Sequence, residues 1–447
     1  MEPAPPSQLP DSTRANRRTL LVAVAIAVLA LVLRLGFLFG AEVMSPLAGD
    51  EGQYWNYAWN LAHHHVFSHA EPSSAVPAPD AWRGPGYPAF LAVCIALVPT
   101  GPGAIALAEL LQVLLSSLLA PMTILLARRF VPSGWALAGG LLVAIWPHLI
   151  VFAGTLLSET VFAFALLAAA LAIDHAFARN RMGAAGFAGL LAGAAWLVNP
   201  ILMLFPPVLA ALAAWKGKRK VAAVYLLGFL VVVGAWQVRN ATIDSGGGSA
   251  QRVGMNFVQG SWPMYHDAYR DRFSSPIAKA FNDQIEEQAR LVNADPRAGL
   301  EEVFQRLGAS PMRYLGWYAI QKPWLLWDWS VRIGWGDVYF LQTRHSPFDR
   351  MLVYRAIHEI CRALNPILFG LALLSCGLAT RQKGHGDAAV FAWQACALLF
   401  CYLTAVHVVL QAEPRYSIPY RPIEILLAVA AAWAILSRLR RPAQDGG

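Results

Sequence analysis

Apolar runs long enough to cross a bilayer recur along this chain, and they constrain it more than any other feature, because a span needs about 20 mostly apolar residues. They are Thr19–Gly40, Ala104–Ala127, Gly134–Ile150, Thr160–Ala178, Gly183–Val198, Ile201–Trp215, Val221–Val238, Leu352–Ala379, Ala388–Leu410 and Ile418–Leu436. Only 14% of the 447 residues are charged, where a soluble domain carries about 25%. The pattern predicts an all-α polytopic membrane protein with about ten transmembrane helices. A soluble enzyme is excluded, and no Walker loop, dinucleotide glycine pattern or GxSxG is present.

Threaded alternately, the runs put Arg128 and Arg129, Arg179 and Arg181, the Lys216–Lys220 cluster, Arg381 and Lys383, and Arg438, Arg440 and Arg441 on one side. The positive-inside rule makes that side the cytoplasm. The net charge of +8 therefore reports topology, and no nucleic-acid partner is expected. Outside lie the loop with Asp50 and Glu51, the Ser158-Glu159 pair, the long segment from Arg239 to Arg350, and Glu413 to Tyr416. Gly86 to Pro99 is apolar but too short to span, so it reads as re-entrant or interfacial. The pair Gly183–Val198 and Ile201–Trp215 is short and joined only by Asn199-Pro200, so it reads as tilted or broken. In the long external segment a Ser245–Ser249 glycine hinge precedes a helical stretch around Ala278 to Leu307, and aromatic residues crowd between Tyr314 and Trp329 as in an interfacial helix.

Asp50 and Glu51 open an amphipathic stretch with Tyr54, Tyr57, Ala58 and Leu61 at helical spacing. A helix N-terminus favours ionised carboxylates, and such a group beside a membrane can act as a general base. An N-cap Asp with a first-turn Glu needs no function, and from the residues alone the two readings stand level. Arg83, in Arg83-Gly84-Pro85-Gly86-Tyr87-Pro88, could clamp a phosphate bidentately or simply snorkel to lipid headgroups. Glu159 marks a span mouth, Arg239-Asn240 ends another span, and Glu413 and Arg415 are close enough in sequence to pair with each other. Arg34 and Glu109 are the deep ionisable groups, and an intramembrane Arg calls for a buried partner or a phosphate. His63, His64 and His65 cannot all face one ion, so no metal set is assigned. The five cysteines are odd in number and without metal-ligand spacing, and are assigned to packing.

In their order and common side, Asp50-Glu51 after the first span, Arg83-Gly84-Pro85-Gly86-Tyr87-Pro88, Ser158-Glu159, Arg239-Asn240 and Glu413-Pro414-Arg415-Tyr416 resemble the membrane glycosyltransferases of the C superfold (GT-C). The resemblance is to the bacterial branch related to protein O-mannosyltransferases and the lipid A aminoarabinose transferase. It implies transfer from a polyprenyl-phosphate-sugar donor to an envelope lipid, glycan or protein acceptor, in a multi-pass protein of the bacterial inner membrane whose site faces the periplasm. Asp50 would be the general base of an inverting displacement, and Glu51 would orient the acceptor or assist. Arg83 would bind the donor phosphate, and Tyr87, Glu159, Arg239, Glu413 and Arg415 would contact substrate. No cofactor is assigned, and the resemblance leaves divalent metal use open. Departures are Arg83-Gly84 where the aminoarabinose enzymes tend to a Lys-Pro pair, and the lack of large soluble modules.

The expected organisation is a disordered cytoplasmic leader over 1–18 and a transmembrane catalytic module over 19–238 with its first external loop at 41–103. An external loop with interfacial helices over 239–351 and C-terminal transmembrane helices with a basic tail over 352–447 complete it. A transporter or flippase of a lipid-linked sugar is the alternative, and it would call for internal repeats and polar groups at the bilayer midplane. A third reading is a scaffold that kept the fold without activity.

Overall fold

The computed structural model describes residues 11–243, 248–382 and 387–439. Residues 1–10 of the leader, most of the glycine hinge at 245–249, Lys383, and Arg440 and Arg441 of the tail lie outside the described residues. Among the described residues, seven helices are long and apolar enough to cross a membrane. These include α1 (Asp11–Gly40), α4 (Gly101–Ala127), α7 (Ser158–Arg179) and α10 (Arg219–Ala241). The other three are α18 (Leu352–Arg381), α19 (Ala388–Val409) and the stretch Pro414–Leu439, which contains α20 (Pro414–Ser417) and α21 (Arg421–Leu439). An eighth candidate is bent by 55° between α5 (Ser133–Ile145) and α6 (Pro147–Val151). The tenfold count is thus reached only by adding two short apolar helices, α8 (Met182–Val198) and the stretch Pro200–Trp215, which contains α9 (Phe205–Trp215). α1 starts ahead of Thr19, at Asp11, so its first turns take in the end of the segment expected as leader.

The bend at Pro147 explains the intramembrane Arg34. Proline has no N–H, so the carbonyl of Val143, four residues earlier, loses its helical donor. Arg34, fully buried in α1, supplies replacements: its Nη2 donates to the Val143 carbonyl at 3.4 Å and its Nη1 to that of Ala144 at 2.8 Å. Its Nε donates to Ser116 Oγ at 2.7 Å, and Ser116 donates in turn to the Leu149 carbonyl at 2.9 Å. The buried partner expected for Arg34 is therefore a broken helix end and not a carboxylate or a phosphate.

The first external loop folds as α2 (Asp50–His64) and α3 (Gly86–Leu97). The 12 residues of α3 end at Leu97, and α4 begins at Gly101, which fits the reading of this run as too short to span. The long external segment is largely helical, in α11 (Ser249–Gly260), α12 (Tyr265–Asp271), α13 (Pro276–Ala294), α14 (Pro296–Gly308), α15 (Pro311–Gly316), α16 (Lys322–Leu326) and α17 (Pro347–Arg350). The helical stretch expected around Ala278 to Leu307 consists of two helices, α13 and α14. Pro296 cannot continue the first, and Asp295 caps the second by accepting from the N–H groups of Arg297 and Ala298, each at 3.1 Å. The aromatic crowd also divides: Trp324 faces outward with Met312, Leu315 and Ile320, whereas Trp317, Trp327 and Trp329 are buried. A two-residue strand pair, Glu42–Val43 with Thr343–Arg344, ties the end of this segment to the first loop.

The bundle has two chemically distinct ends. At one, Arg129 at the exit of α4 pairs with Asp174 in the last turns of α7 at 2.8 Å, and Lys218 before α10 donates to the Phe177 carbonyl at 2.6 Å. Glu159, one of the acids expected on the opposite side, lies at the other end of α7, in its first turn. Replacing Arg34 with Leu strands the Val143 and Ala144 carbonyls in an apolar setting, at about 1–3 kcal/mol for an unmet buried group. The Arg34→Leu protein is expected to unfold at a lower temperature in detergent, and an unchanged midpoint would show that the bend needs no donor.

Candidate active site

Asp50 opens α2, so residues three and four positions on share its helix face. Those residues are Gln53 and Tyr54, and both meet Arg83. Arg83 donates from Nη2 to Asp50 Oδ1 and, at 2.7 Å, to Gln53 Oε1, while its guanidinium lies 4.9 Å from the Tyr54 ring centre. The glycines beside Arg83 fix its approach: a Cβ on Gly84 would sit 2.4 Å from the Leu197 carbonyl oxygen, and one on Gly86 would sit 2.6 Å from the Val198 nitrogen. The Arg83-Gly84-Pro85-Gly86 turn thus lies directly on the end of α8, where side chains would hold it off.

A second guanidinium closes the cluster from the far end of the sequence. Arg415 in α20 donates from Nη2 to Asp50 Oδ2 at 3.0 Å and from Nε to Glu159 Oε1 at 2.5 Å. Glu159, in the first turn of α7, is buried, and its second oxygen has no hydrogen-bond partner. Asp50 therefore has a guanidinium on each carboxylate oxygen. Burial alone would raise its carboxyl, but the charges of Arg83 and Arg415 override that and hold it well below the usual carboxylate range.

Glu51 behaves oppositely although it is the next residue. It is fully buried and neither carboxyl oxygen has a hydrogen-bond partner. Burial pushes its carboxyl up to about 8, and Asp50 and Glu159 add to the rise. At neutral pH the adjacent acids thus divide into one ionised and one protonated, the separation by which acid and base roles are assigned.

Arg252, in α11, is a neighbour that no local motif marks. It donates to the Trp82 carbonyl at 3.3 Å, and burial together with the charge of Arg83 lowers its guanidinium below the ordinary value. The long external segment thus brings a third cation to the cluster. Gln53 and Tyr54 were also missed, although their spacing from Asp50 would have found them.

Three further candidate contacts direct their polar groups to other partners. Arg239 does not join the cluster: its Nη1 donates to the Asp80 carbonyl at 2.6 Å and its Nη2 to that of Phe67 at 3.3 Å, so it pins the first loop. Tyr87 is fully buried and donates to Gln112 Oε1 at 2.8 Å, within the core. Glu413 does not pair with the Arg415 guanidinium but caps α20, accepting from the Arg415 N–H at 2.6 Å. Among the described residues no group of three or more His, Cys, Asp or Glu side chains could hold a metal ion.

No family model and no curated protein matches this sequence. Among solved structures, it resembles the Archaeoglobus fulgidus oligosaccharyltransferase in the apo form, with a TM-score of 0.51 at 12% identity over 94% of this chain and 51% of that one. The archaeal oligosaccharyltransferase AglB from Archaeoglobus fulgidus, in complex with an inhibitory peptide and a dolichol-phosphate, gives 0.48 at 15% identity over 95% and 51%. ArnT from Cupriavidus metallidurans bound to undecaprenyl phosphate gives 0.36 at 15% identity over 89% and 78%. The chain thus has an all-α polytopic membrane fold similar to that of the Archaeoglobus fulgidus oligosaccharyltransferase. It spans about half the length of the archaeal enzymes it matches.

The Glu51 carboxyl sets a pH dependence with a definite sign. Its folded value lies above the ordinary carboxylate value, so between about 4.5 and 8 the unfolded chain holds fewer protons and stability falls as pH rises. Glu51→Gln is expected to flatten this slope, unfolding later than the native protein at pH 8.5 with little difference at pH 4.5. Equal differences at both pH values would rule out a protonated Glu51.

Proposed function

We propose that this protein is a membrane glycosyltransferase that moves a sugar from a polyprenyl-phosphate-linked donor to a cell-envelope acceptor at the non-cytoplasmic face. The observation that carries the reading is the convergence of Asp50, Arg83, Glu159 and Arg415, from four separate segments, on one ion-paired cluster at one end of the bundle. A hydroxyl or amine of the acceptor attacks the anomeric carbon as the bond from that carbon to the phosphate oxygen breaks. The acceptor proton passes to Asp50, the configuration inverts, and polyprenyl phosphate leaves. Such a leaving group needs positive charge placed where its negative charge develops. Arg83, Arg415 and Arg252 supply more cations than the ionised carboxylates beside them consume.

The pairing of Asp50 gives the mechanism an order. While both guanidiniums bond it, Asp50 is a weak base. A donor phosphate competes for those guanidiniums and, by drawing them off, raises the basicity of Asp50 once donor is bound. Glu51, protonated at neutral pH, has a proton to donate toward the acceptor or the sugar. A transporter would need polar groups at the bilayer midplane free to exchange partners. The buried Arg34 and Arg421 are instead committed, Arg421 pairing with Glu424 at 2.8 Å and donating to Asn365 Oδ1 at 2.9 Å.

The test is transfer of radiolabelled sugar from polyprenyl-phosphate donors to envelope extract by purified protein. The native chain is expected to release polyprenyl phosphate, and Asp50→Asn to lose on the order of 10²–10⁴ in rate, the usual range for a positioned base. Donor that is moved across vesicles but never consumed, with Asp50→Asn unaltered, would replace the enzyme reading with the transporter.

A further inference from the structure

Arg415 is held on three sides, and the third holder lies outside the ion-paired cluster. Its edges bond Asp50 and Glu159, which fixes the guanidinium within its plane. Its face lies on the ring of Phe340, with the central carbon 4.0 Å from the ring centre. Cation–π contact over a ring face fixes the tilt that two edge bonds leave free. Nη1 of Arg415 has no hydrogen-bond partner among the described residues, and that tilt decides where it points.

Phe340 ends a loop, residues 328–340, that is anchored at several points. At its base, Arg421 donates to the Asp328 carbonyl at 2.8 Å. In the middle, Asp337, with φ of 49°, accepts from Trp329 Nε1 at 2.5 Å and contacts His358 Nε2 at 2.8 Å, while its N–H donates to Ser330 Oγ at 2.9 Å. The N–H groups of Arg332 and Ile333 donate to Glu413 Oε1, at 2.6 and 3.3 Å. The other oxygen of Glu413 accepts from the Arg415 N–H at 2.6 Å, so one buried carboxylate joins the loop to the backbone of Arg415. Gly334 lets the loop close: its φ is +156°, and a Cβ there would lie 2.8 Å from the Phe340 carbonyl oxygen and 3.1 Å from the ring carbon Cδ2.

We infer that the 328–340 loop is the positioning device for Arg415, with Phe340 the positioning residue that sets the guanidinium plane and Glu413 the tie that fixes its backbone. The inference rests on the reading of the cluster as a sugar-transfer site. Phe340 itself touches no reacting atom. It acts by aiming the free Nη1 of Arg415 at the donor phosphate, and small misplacements of such a group cost far more in turnover than in binding.

The experiment is a double-substitution cycle with Phe340→Leu and Arg415→Gln in the full chain, read as kcat and donor KM in the transfer assay and as thermal midpoint in detergent. Phe340→Leu is expected to lower kcat roughly tenfold with donor KM changed less than about twofold. Phe340→Tyr, which keeps the ring, restores turnover, and Phe340→Leu adds no further loss in the Arg415→Gln background. Gly334→Ala, which displaces Phe340 without touching Arg415, reproduces the kcat loss. Fully additive kcat losses, or a Phe340→Leu protein with native kcat, would overturn the assignment. If the native chain transfers no sugar, the functional reading fails, and the cycle is decided by thermal midpoints. Coupling of Phe340 to Arg415 there keeps the positioning contact, and its absence removes it.

Discussion

The bridge made by Arg415 is the interaction on which the rest of the site depends. Asp50 belongs to the first external loop, Glu159 to the mouth of α7 and Arg415 to the approach to the last span, and one guanidinium bonds both carboxylates. Removing it would leave a buried Glu159 with no partner on either oxygen and Asp50 with one guanidinium instead of two. An unpaired buried charge is costly, so the bridge fixes where three separate segments stand as much as it shapes a site. The apolar spans give the bundle its mass, while contacts of this kind decide how their external ends meet.

The same logic operates inside the membrane. Hydrocarbon offers no hydrogen bonds, so backbone freed by Pro147 must be met by protein, and Arg34 meets it from α1. Arg421 does the same for the carbonyls of Trp327 and Asp328, at 3.3 and 2.8 Å, where the external segment returns to the bundle. Both guanidiniums are engaged with protein acceptors, whereas Arg83 and Arg415 meet at Asp50 in the ion-paired cluster.

Much of this was legible in the sequence because its signals are local. Apolar length marks spans, and the alternation of basic and acidic loops put Asp50, Arg83, Glu159 and Arg415 on one side before any contact was known. The runs of α8 and α9 were legible as short, and both helices are shorter than the seven that mark the other spans. The direction of Arg239 was not legible: ending a span says nothing about where a side chain turns, and this one meets the Asp80 and Phe67 carbonyls. The break at Asp295-Pro296 was readable from the proline alone. Arg252 and Phe340 were not readable, since each meets its partner across more than 70 residues of chain and neither sits in a distinctive local pattern. The opposite protonation of Asp50 and Glu51 was also hidden, because it depends on which of two adjacent carboxyls the guanidiniums reach.

The central claim is that Arg83 and Arg415 exchange Asp50 for the phosphate of a polyprenyl lipid. Its most direct measurement is equilibrium binding of a polyprenyl phosphate to the purified protein, comparing the native chain with Arg83→Gln and Arg415→Gln across pH. Each substitution should weaken binding by roughly tenfold or more, the worth of a charge-assisted hydrogen bond. Binding in the native chain should also be linked to proton uptake at acidic pH, where an Asp50 relieved of its guanidiniums titrates, and leave Asp50 ionised at neutral pH. Equal affinity in all three proteins, with no proton linkage, would contradict the account and leave the cluster a purely structural brace.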